Sequence, residues 1–284
     1  MKRDVSKAGL SSALLLTLLL AQGASPVWAR QAGRGGVTKE EERQAREVAA
    51  AFTRRLIETH DFAPVVRELY AGDFMSRYLK EELDSGPHPE SATFMLSGVP
   101  ALSFREALAA RADSEYWPRL YVAAQTFLHF GFLSLYSKKT LKELGEPDKF
   151  DQRDLLDVYP PEAVKLLDGN PTLANFLLMK GRPVDVETVD DLRAVTVTLE
   201  EAVRLTRAHL DERLAKGTYF ARNLRLMEAV SARTEVELLP PGGDAWGYPE
   251  GTRLFKVFAA VGYDLILVKE GGSMKVVWAS VPSD

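Results

Sequence analysis

The sequence contains no cysteine. This absence excludes disulfide bonds, a thiolate nucleophile, iron–sulfur clusters and metal sites built on cysteine. It also excludes a lipid anchor attached to a cysteine behind an export signal. Histidine is scarce too, with four residues, so metal binding or acid–base catalysis through histidine has few candidates. After the N-terminal region, no apolar run approaches the roughly 18 residues that a transmembrane helix needs.

The short motifs that usually mark an enzyme are missing as well. The chain has no Gly-x-Ser-x-Gly, no Ser-x-x-Lys, no phosphate-binding Gly-x-x-x-x-Gly-Lys and no Gly-x-Gly-x-x-Gly turn. We therefore predict no catalytic residues, no cofactor and no metal site. Carboxylates are abundant, and a pair such as Glu68 and Asp73 keeps a carboxylate-dependent hydrolase open as an alternative. The formal net charge of −4 argues against nucleic acid as the main partner.

The N-terminus carries the clearest positive signal. Lys2 and Arg3 begin a basic region, an apolar run follows at residues 13–21, and small residues precede a cleavage position after Ala29. This order predicts a signal peptide at residues 1–29 and an exported protein, with an uncleaved anchor as the alternative. Export without disulfides or a lipid anchor is typical of a bacterial periplasm or of secretion into the medium.

The rest of the chain is predicted to form one α+β domain, residues 38–284. Residues 30–37 form a basic, glycine-rich leader that we expect to be flexible. Residues 38–234 show helical periodicity and residues 235–284 show strand periodicity, so we predict a helical part followed by an antiparallel β-meander that packs on it. Capping boxes predict helix starts at three positions: Thr38, Ser103 and Thr198.

The most apolar predicted helix spans about residues 114–136, and we expect it to be buried on all sides. One of its faces carries polar groups at Gln125, His129 and Tyr136, one or two helical turns apart. A buried polar stripe needs hydrogen-bond partners. These three residues are therefore candidate binding residues for a small apolar or mixed ligand, and a purely structural hydrogen-bond network is the alternative.

A second candidate binding region is the proline- and glycine-rich loop at residues 240–249, which contains Trp246 and Tyr248. Aromatic side chains exposed on a stiff loop commonly contact a sugar, a peptide or a protein partner. They can equally fold back over the sheet. The loop adds Trp246 and Tyr248 as candidate binding residues, with both interpretations open.

The meander itself has an unusual apolar pattern. Its strands are predicted at about residues 235–239, 252–260, 263–269 and 274–281. Simple alternation places apolar residues on both faces, whereas a sheet with one face in water alternates apolar with polar residues. Each face must then be covered by helices, by a ligand cavity or by a second subunit. Alternation also places Val276 and Trp278 on the same face, opposite Val277.

The other histidines have less distinctive settings. His60 is predicted at the C-terminal end of the first helix, where a protonated histidine interacts favourably with the helix dipole. Its neighbours Glu58 and Asp61 would form a metal site with it only if the three side chains converged. His88 lies between two prolines and is predicted to be exposed. His209 lies beside the apolar stripe of its helix, which predicts partial burial against the sheet.

Three functional hypotheses follow from these observations. The first is an exported, non-catalytic binding protein for a small ligand or a protein partner. The second is the carboxylate-dependent hydrolase, and the third is an assembly protein that forms a homodimer through its sheet. Composition and motifs favour the first hypothesis, because no site motif supports catalysis.

Overall fold

The computed structural model of the chain describes residues 36–77, 93–94, 102–104, 115–143, 158–168, 184–186, 188–215, 221, 224–240 and 248–280. Within these ranges the fold is α+β, and a C-terminal four-stranded antiparallel sheet packs on helices, as the sequence predicts. The predicted signal peptide and residues 30–35 of the leader lie outside the described residues, as do His88 and Trp246.

The helices account for most of the described residues. The first helix, α1, starts at the predicted capping box, where Thr38 and Glu41 bind each other's backbone amides. The second, α2, begins after Asp61, whose side chain accepts a hydrogen bond from the Ala63 amide at 2.8 Å. The central apolar helix is α3 and begins close to its predicted start. The described helices are α1 Lys39–Thr59, α2 Phe62–Leu69, α3 Tyr116–Glu143, α4 Pro161–Asp168, α5 Val189–Ala215 and α6 Leu224–Ser231.

The start of α5 corrects one prediction. The helix begins at Val189 and not at Thr198, because Thr188 and Asp191 form the cap: each accepts a hydrogen bond from the other's backbone amide, at 3.1 and 2.9 Å. Aspartate serves here in the position that the capping-box pattern assigns to glutamate. Thr198 lies inside the helix, where its hydroxyl donates to the Ala194 carbonyl at 2.8 Å.

A small sheet that the sequence did not predict lies within the helical part. Strand β1 (Thr93–Phe94) pairs antiparallel with β2 (Leu102–Phe104), and β2 pairs parallel with β3 (Val184–Val186). The prediction that Ser103 caps a helix is therefore wrong, because Ser103 pairs with Thr93 and Asp185 inside this sheet. Strands of two or three residues are too short to show an alternating pattern in the sequence.

The large sheet is the predicted meander, with strand order β4-β5-β6-β7 and antiparallel pairing throughout. One face aligns Phe255, Leu267 and Val276 across three strands, and α1 packs against this face through Phe52, whose ring lies 5.7 Å from that of Tyr263. Its strands are β4 Val236–Leu238, β5 Leu254–Ala259, β6 Tyr263–Glu270 and β7 Ser273–Ser280.

A β-bulge in β7 corrects the predicted assignment of residues to faces. Ile266 pairs with Trp278 and Leu267 pairs with Val276, which leaves Val277 as the extra residue. Since Ile266 and Leu267 are neighbours in one strand, their partners lie on opposite faces. Val276 therefore faces α1, whereas Trp278 lies on the second face, where its ring contacts Tyr121 of α3 at 5.3 Å.

Both faces of the sheet are covered, as the sequence predicts. On the second face, Ile266, Val268 and Trp278 are buried. This face is not purely apolar, because Lys256 and Asp264 form an ion pair across two strands at 2.7 Å. Every helix within the described ranges is either too short or too polar for a bilayer span.

Replacing Phe52 by alanine should lower the free energy of unfolding by about 3–5 kcal/mol. Its ring is fully buried and contacts both Phe62 and Tyr263, so the substitution leaves a cavity between α1, α2 and the sheet. Urea unfolding followed by circular dichroism measures the change. Val197→Ala is the control: Val197 is 48 % exposed on α5, and its truncation should cost less than about 0.5 kcal/mol. Equal losses in the two variants would contradict this view of the core.

Candidate functional site

The candidate site lies where α1 turns into α2, at residues 59–61, which we call the corner. Two histidines from distant parts of the sequence meet there: His60 ends α1, and His129 projects from α3. His60 is 6 % exposed and His129 is 1 % exposed. We call these two residues the histidine pair.

The rings of the histidine pair meet edge to edge. The Nδ1 atom of His60 lies 3.4 Å from the Nε2 atom of His129, the ring planes are 21° apart and the ring centroids are separated by 5.7 Å. The centroid distance exceeds the nitrogen–nitrogen distance by about two ring radii, so the two nitrogens point at each other. In this geometry one nitrogen must carry the hydrogen and the other must offer its lone pair.

Aromatic side chains enclose the histidine pair. The His129 ring contacts Phe62 of α2 and Phe130 of α3, each at a centroid distance of 6.5 Å. Phe62 in turn contacts Tyr263 of the sheet at 5.4 Å, and its amide donates a hydrogen bond to the Thr126 hydroxyl at 3.0 Å. The pair therefore lies in an apolar interior that connects α2, α3 and the sheet.

Arg207 of α5 supplies the positive charge beside the pair. Its guanidinium donates hydrogen bonds to the backbone carbonyls of Thr59 and His60, each at 3.0 Å, and forms an ion pair with Asp61 at 3.1 Å. The same guanidinium lies 5.5 Å above the Phe130 ring. Arg207 thus binds the corner from α5 and satisfies carbonyls that the end of α1 leaves without helical partners.

Both histidines are neutral at pH 7. Burial, followed by the charge of Arg207, lowers the pKa of His60 to about 4. Burial also lowers the pKa of His129 well below its ordinary value, with His60 and Arg207 adding to the effect. His60 does lie at the end of α1, as the sequence predicts, but as a neutral ring. Its ring is buried, and Arg207 occupies the place beside the terminal carbonyls where a cation is favourable.

The backbone of His60 is left-handed, with φ 49° and ψ 37°. Glycine is the usual residue at the end of a helix in this conformation, because a side chain there costs about 1–2 kcal/mol. The His60 amide still donates to the Leu56 carbonyl at 2.8 Å, so the helix is capped. The chain reverses direction at this residue and places Asp61 at the start of α2.

Gln125 lies one turn before His129 on α3 and is 1 % exposed. The Nε2 atom of Gln125 and the Nδ1 atom of His129 are buried and have no hydrogen-bond partner among the described residues. The predicted polar stripe is therefore present in part: Gln125 and His129 are both buried on α3. Tyr136 belongs to the same helix, but its side chain lies outside the described residues.

Tyr248 of the aromatic loop folds back onto the protein. It is 6 % exposed, its hydroxyl donates to the Glu270 carboxylate at 2.9 Å, and the Arg77 guanidinium lies 4.6 Å above its ring. These contacts of Tyr248 are with Glu270 and Arg77 and involve neither member of the histidine pair. The sequence left open whether Tyr248 is exposed or folds back over the sheet. The structure shows that its ring is folded back and buried.

The candidate acid–base carboxylates are held in ion pairs. Glu68 accepts hydrogen bonds from Arg55 at 2.5 and 2.8 Å, which lower its pKa, and Asp73 accepts one from Arg77 at 2.5 Å. Among the described residues, no three histidine, aspartate or glutamate side chains converge on a point that could hold a metal ion. His209 is exposed and not partly buried, because Thr206 and Leu210 form the inner side of α5 at that turn.

Replacing Arg207 by methionine should lower the free energy of unfolding by about 2–3 kcal/mol, because it leaves two carbonyls and Asp61 without their charged partner. The same change should raise the pKa of His60 above about 4, which nuclear magnetic resonance titration measures. Arg204→Met, on the same helix but in an exposed pair with Glu201, should leave the stability nearly unchanged, because solvent screens an exposed pair. An unchanged His60 pKa in the Arg207 variant would count against this electrostatic account.

We compared the chain with known proteins and found no relative. The chain matches no protein-family model, no curated protein and no solved structure. The functional argument therefore rests on the arrangement of the residues themselves.

Proposed function

We propose that this is an exported, non-catalytic protein that binds a small ligand of mixed apolar and polar character inside the helical part, beside α3. The observation that supports the proposal is the pair of unsatisfied polar atoms on that helix, Nε2 of Gln125 and Nδ1 of His129. Both lie on one face of α3, separated by one helical turn. A ligand with a hydrogen-bond acceptor and an apolar body would complement them.

These two atoms point to a ligand because leaving a buried polar atom without a hydrogen bond is unfavourable. A buried donor without a partner costs about 1–3 kcal/mol. Several other buried polar side chains have partners within the chain: the hydroxyls of Thr53 and Ser231 lie 2.8 Å apart, and those of Tyr70 and Tyr121 also lie 2.8 Å apart. Among the described residues, the buried Thr206 hydroxyl likewise has no hydrogen-bond partner. What distinguishes Gln125 is that its unpaired Nε2 atom lies one helical turn from the unpaired Nδ1 atom of His129, so that one partner from outside the chain could satisfy both.

The absence of catalysis is supported by the state of the acidic groups. The pKa of Glu68 is lowered, and the largest cause is the hydrogen bonds that its carboxylate accepts from Arg55. A general acid needs the opposite, a raised pKa near the working pH. The histidine pair is neutral, but its burial separates it from bulk water, which a hydrolase must admit. These groups therefore favour a binding role.

Export is proposed from the N-terminal sequence. The basic region that begins at Lys2, the apolar run at residues 13–21 and the small residues before position 30 follow the order of a cleaved signal peptide. A chain without cysteine loses nothing in an oxidising compartment. The bacterial periplasm or the external medium is the proposed location.

Native mass spectrometry of protein recovered from the exported fraction of a bacterial host tests the proposal. We expect a chain that begins at Arg30 and carries a bound small molecule. The Gln125→Leu variant should lose the bound species, while its stability is kept or slightly raised, because the substitution removes an unpaired buried donor.

Thr53→Val is the matched control, since the buried Thr53 hydroxyl on α1 has a partner within the chain, the Ser231 hydroxyl at 2.8 Å. It should retain the bound species. A wild-type protein that carries nothing heavier than water would overturn the ligand proposal, because ordered water satisfies buried polar groups equally well. A chain recovered with residues 1–29 intact would overturn export by a cleaved signal peptide.

A further inference from the structure

We propose that the histidine pair is an acid-sensitive contact, and that protonation opens the corner between α1 and α2 away from α3 and α5. The proposal goes beyond ligand binding and does not depend on it, because it concerns the stability of a contact within the chain. Its basis is the geometry of the pair, the charges that surround it and the backbone of the corner.

The geometry allows only one hydrogen between the two rings. His60 Nδ1 and His129 Nε2 face each other at 3.4 Å, so a neutral pair places one N–H against one lone pair. In the neutral pair only the donating ring has an unprotonated nitrogen on its far side. A first proton bound there leaves the contact in place but puts a positive charge in the apolar interior. A second proton places two N–H groups against each other and two positive charges in an apolar interior, which is strongly unfavourable.

The surrounding charges do not compensate for an imidazolium. The titratable and charged groups that face the pair are Arg207 from α5 and Asp61 from the start of α2, alongside the two histidines themselves. The Asp61 carboxylate already accepts the Ala63 amide at 2.8 Å and pairs with Arg207 at 3.1 Å. Among the described residues, the positive charge of Arg207 and the negative charge of Asp61 already balance each other beside the pair. No negative charge is left to stabilise an imidazolium there.

The corner also has a local reason to open. The left-handed conformation of His60 stores strain that the surrounding contacts must hold. The corner is joined to α5 by the bonds from Arg207 to the carbonyls of Thr59 and His60 and by the ion pair of Arg207 with Asp61. It is joined to α3 by the histidine pair and by the Thr126 hydroxyl, which donates to Asp61 at 3.4 Å and accepts the amide hydrogen of the adjoining Phe62. Of these, the histidine pair is the contact that changes charge on mild acidification.

The Phe62 amide is a direct reporter of opening. It is buried and donates to the Thr126 hydroxyl on α3 at 3.0 Å, so its hydrogen exchanges with solvent only when the corner separates from α3. Because the pKa of His60 is lowered from 6.5 to about 4 in the closed state, the contact is fully stable above pH 6.5 and weakens as the pH falls towards 4. His60 alone predicts an opening constant about 20-fold larger at pH 5 than at pH 7.

Hydrogen–deuterium exchange of ligand-free protein at pH 7 and pH 5 tests this expectation. After correction for the intrinsic exchange rate, the Phe62 amide should exchange about 20-fold faster at pH 5, or more if His129 also binds a proton. The amides of the central sheet strand β6 should change far less, which separates local opening from global unfolding. Equal corrected rates of the Phe62 amide at the two pH values would overturn the proposal.

Two variants assign the effect to the pair. His60→Asn introduces a residue that tolerates the left-handed conformation, and His129→Gln keeps a polar side chain. Because asparagine and glutamine do not titrate, the double variant should lose the pH dependence of Phe62 exchange. His209→Gln removes an exposed histidine of α5 and should retain it. Retention of the pH dependence in the double variant would refute the assignment to the histidine pair.

A measurement on the wild-type protein covers the case in which the double variant does not fold. Carbon-13 chemical shifts of the histidine rings should show that the pKa of His60 is near 4 and that the pKa of His129 is well below its ordinary value, and the Phe62 amide should shift with the His60 midpoint. Ordinary titration of both rings near pH 6.5 with an unchanged Phe62 signal would equally exclude the proposal. Failure of ligand binding would leave all of these outcomes unaffected.

Discussion

The bonds from Arg207 to the end of α1 are the interaction on which the rest of the helical arrangement depends. A helix ends with carbonyls that have no partner in the helix, and burial makes them costly. Here two of those carbonyls, from Thr59 and His60, accept hydrogen bonds from one guanidinium of α5, which also pairs with Asp61. One side chain thereby fixes the position of α5 against α1 and the start of α2. That arrangement places Phe130 under the guanidinium and brings His129 of α3 within reach of His60.

Burial is the main reason why the histidines are neutral, and this constraint adds to it. A cation already lies beside the corner, so a second or third positive charge there is disfavoured as well, which makes the contact vulnerable. The site therefore gains stability from Arg207 only while the imidazoles remain uncharged. A carboxylate directed at the histidine pair would remove this sensitivity by stabilising the imidazolium, but the nearest one, Asp61, already pairs with Arg207. The acid sensitivity is thus a consequence of how the end of α1 is satisfied.

The elements that the sequence predicts well are those whose signals are local. The Thr38 capping box and the four strands of the meander each depend on residues within one turn or one strand. The site depends on contacts between distant segments: His60 and His129 are 69 positions apart, and Arg207 is 147 positions from His60. No periodicity connects such residues, although the helical spacing on α3 does predict that Gln125 and His129 are buried. The bulge in β7 is a further case, because one extra residue reverses the faces that alternation assigns.

The two nitrogens of His129 connect the proposed ligand site with the proposed acid response. Nε2 faces His60, whereas Nδ1 has no partner among the described residues. A ligand that accepts a hydrogen from Nδ1 fixes the tautomer, so that Nε2 offers its lone pair and His60 Nδ1 must donate. A ligand that donates to Nδ1 requires the opposite tautomer and competes directly with protonation at that nitrogen. The second kind of ligand would hold the corner closed to lower pH, since protonation of His129 would then require that the ligand leave. The single imidazole of His129 is therefore the point at which occupancy of the interior and opening of the corner would influence each other.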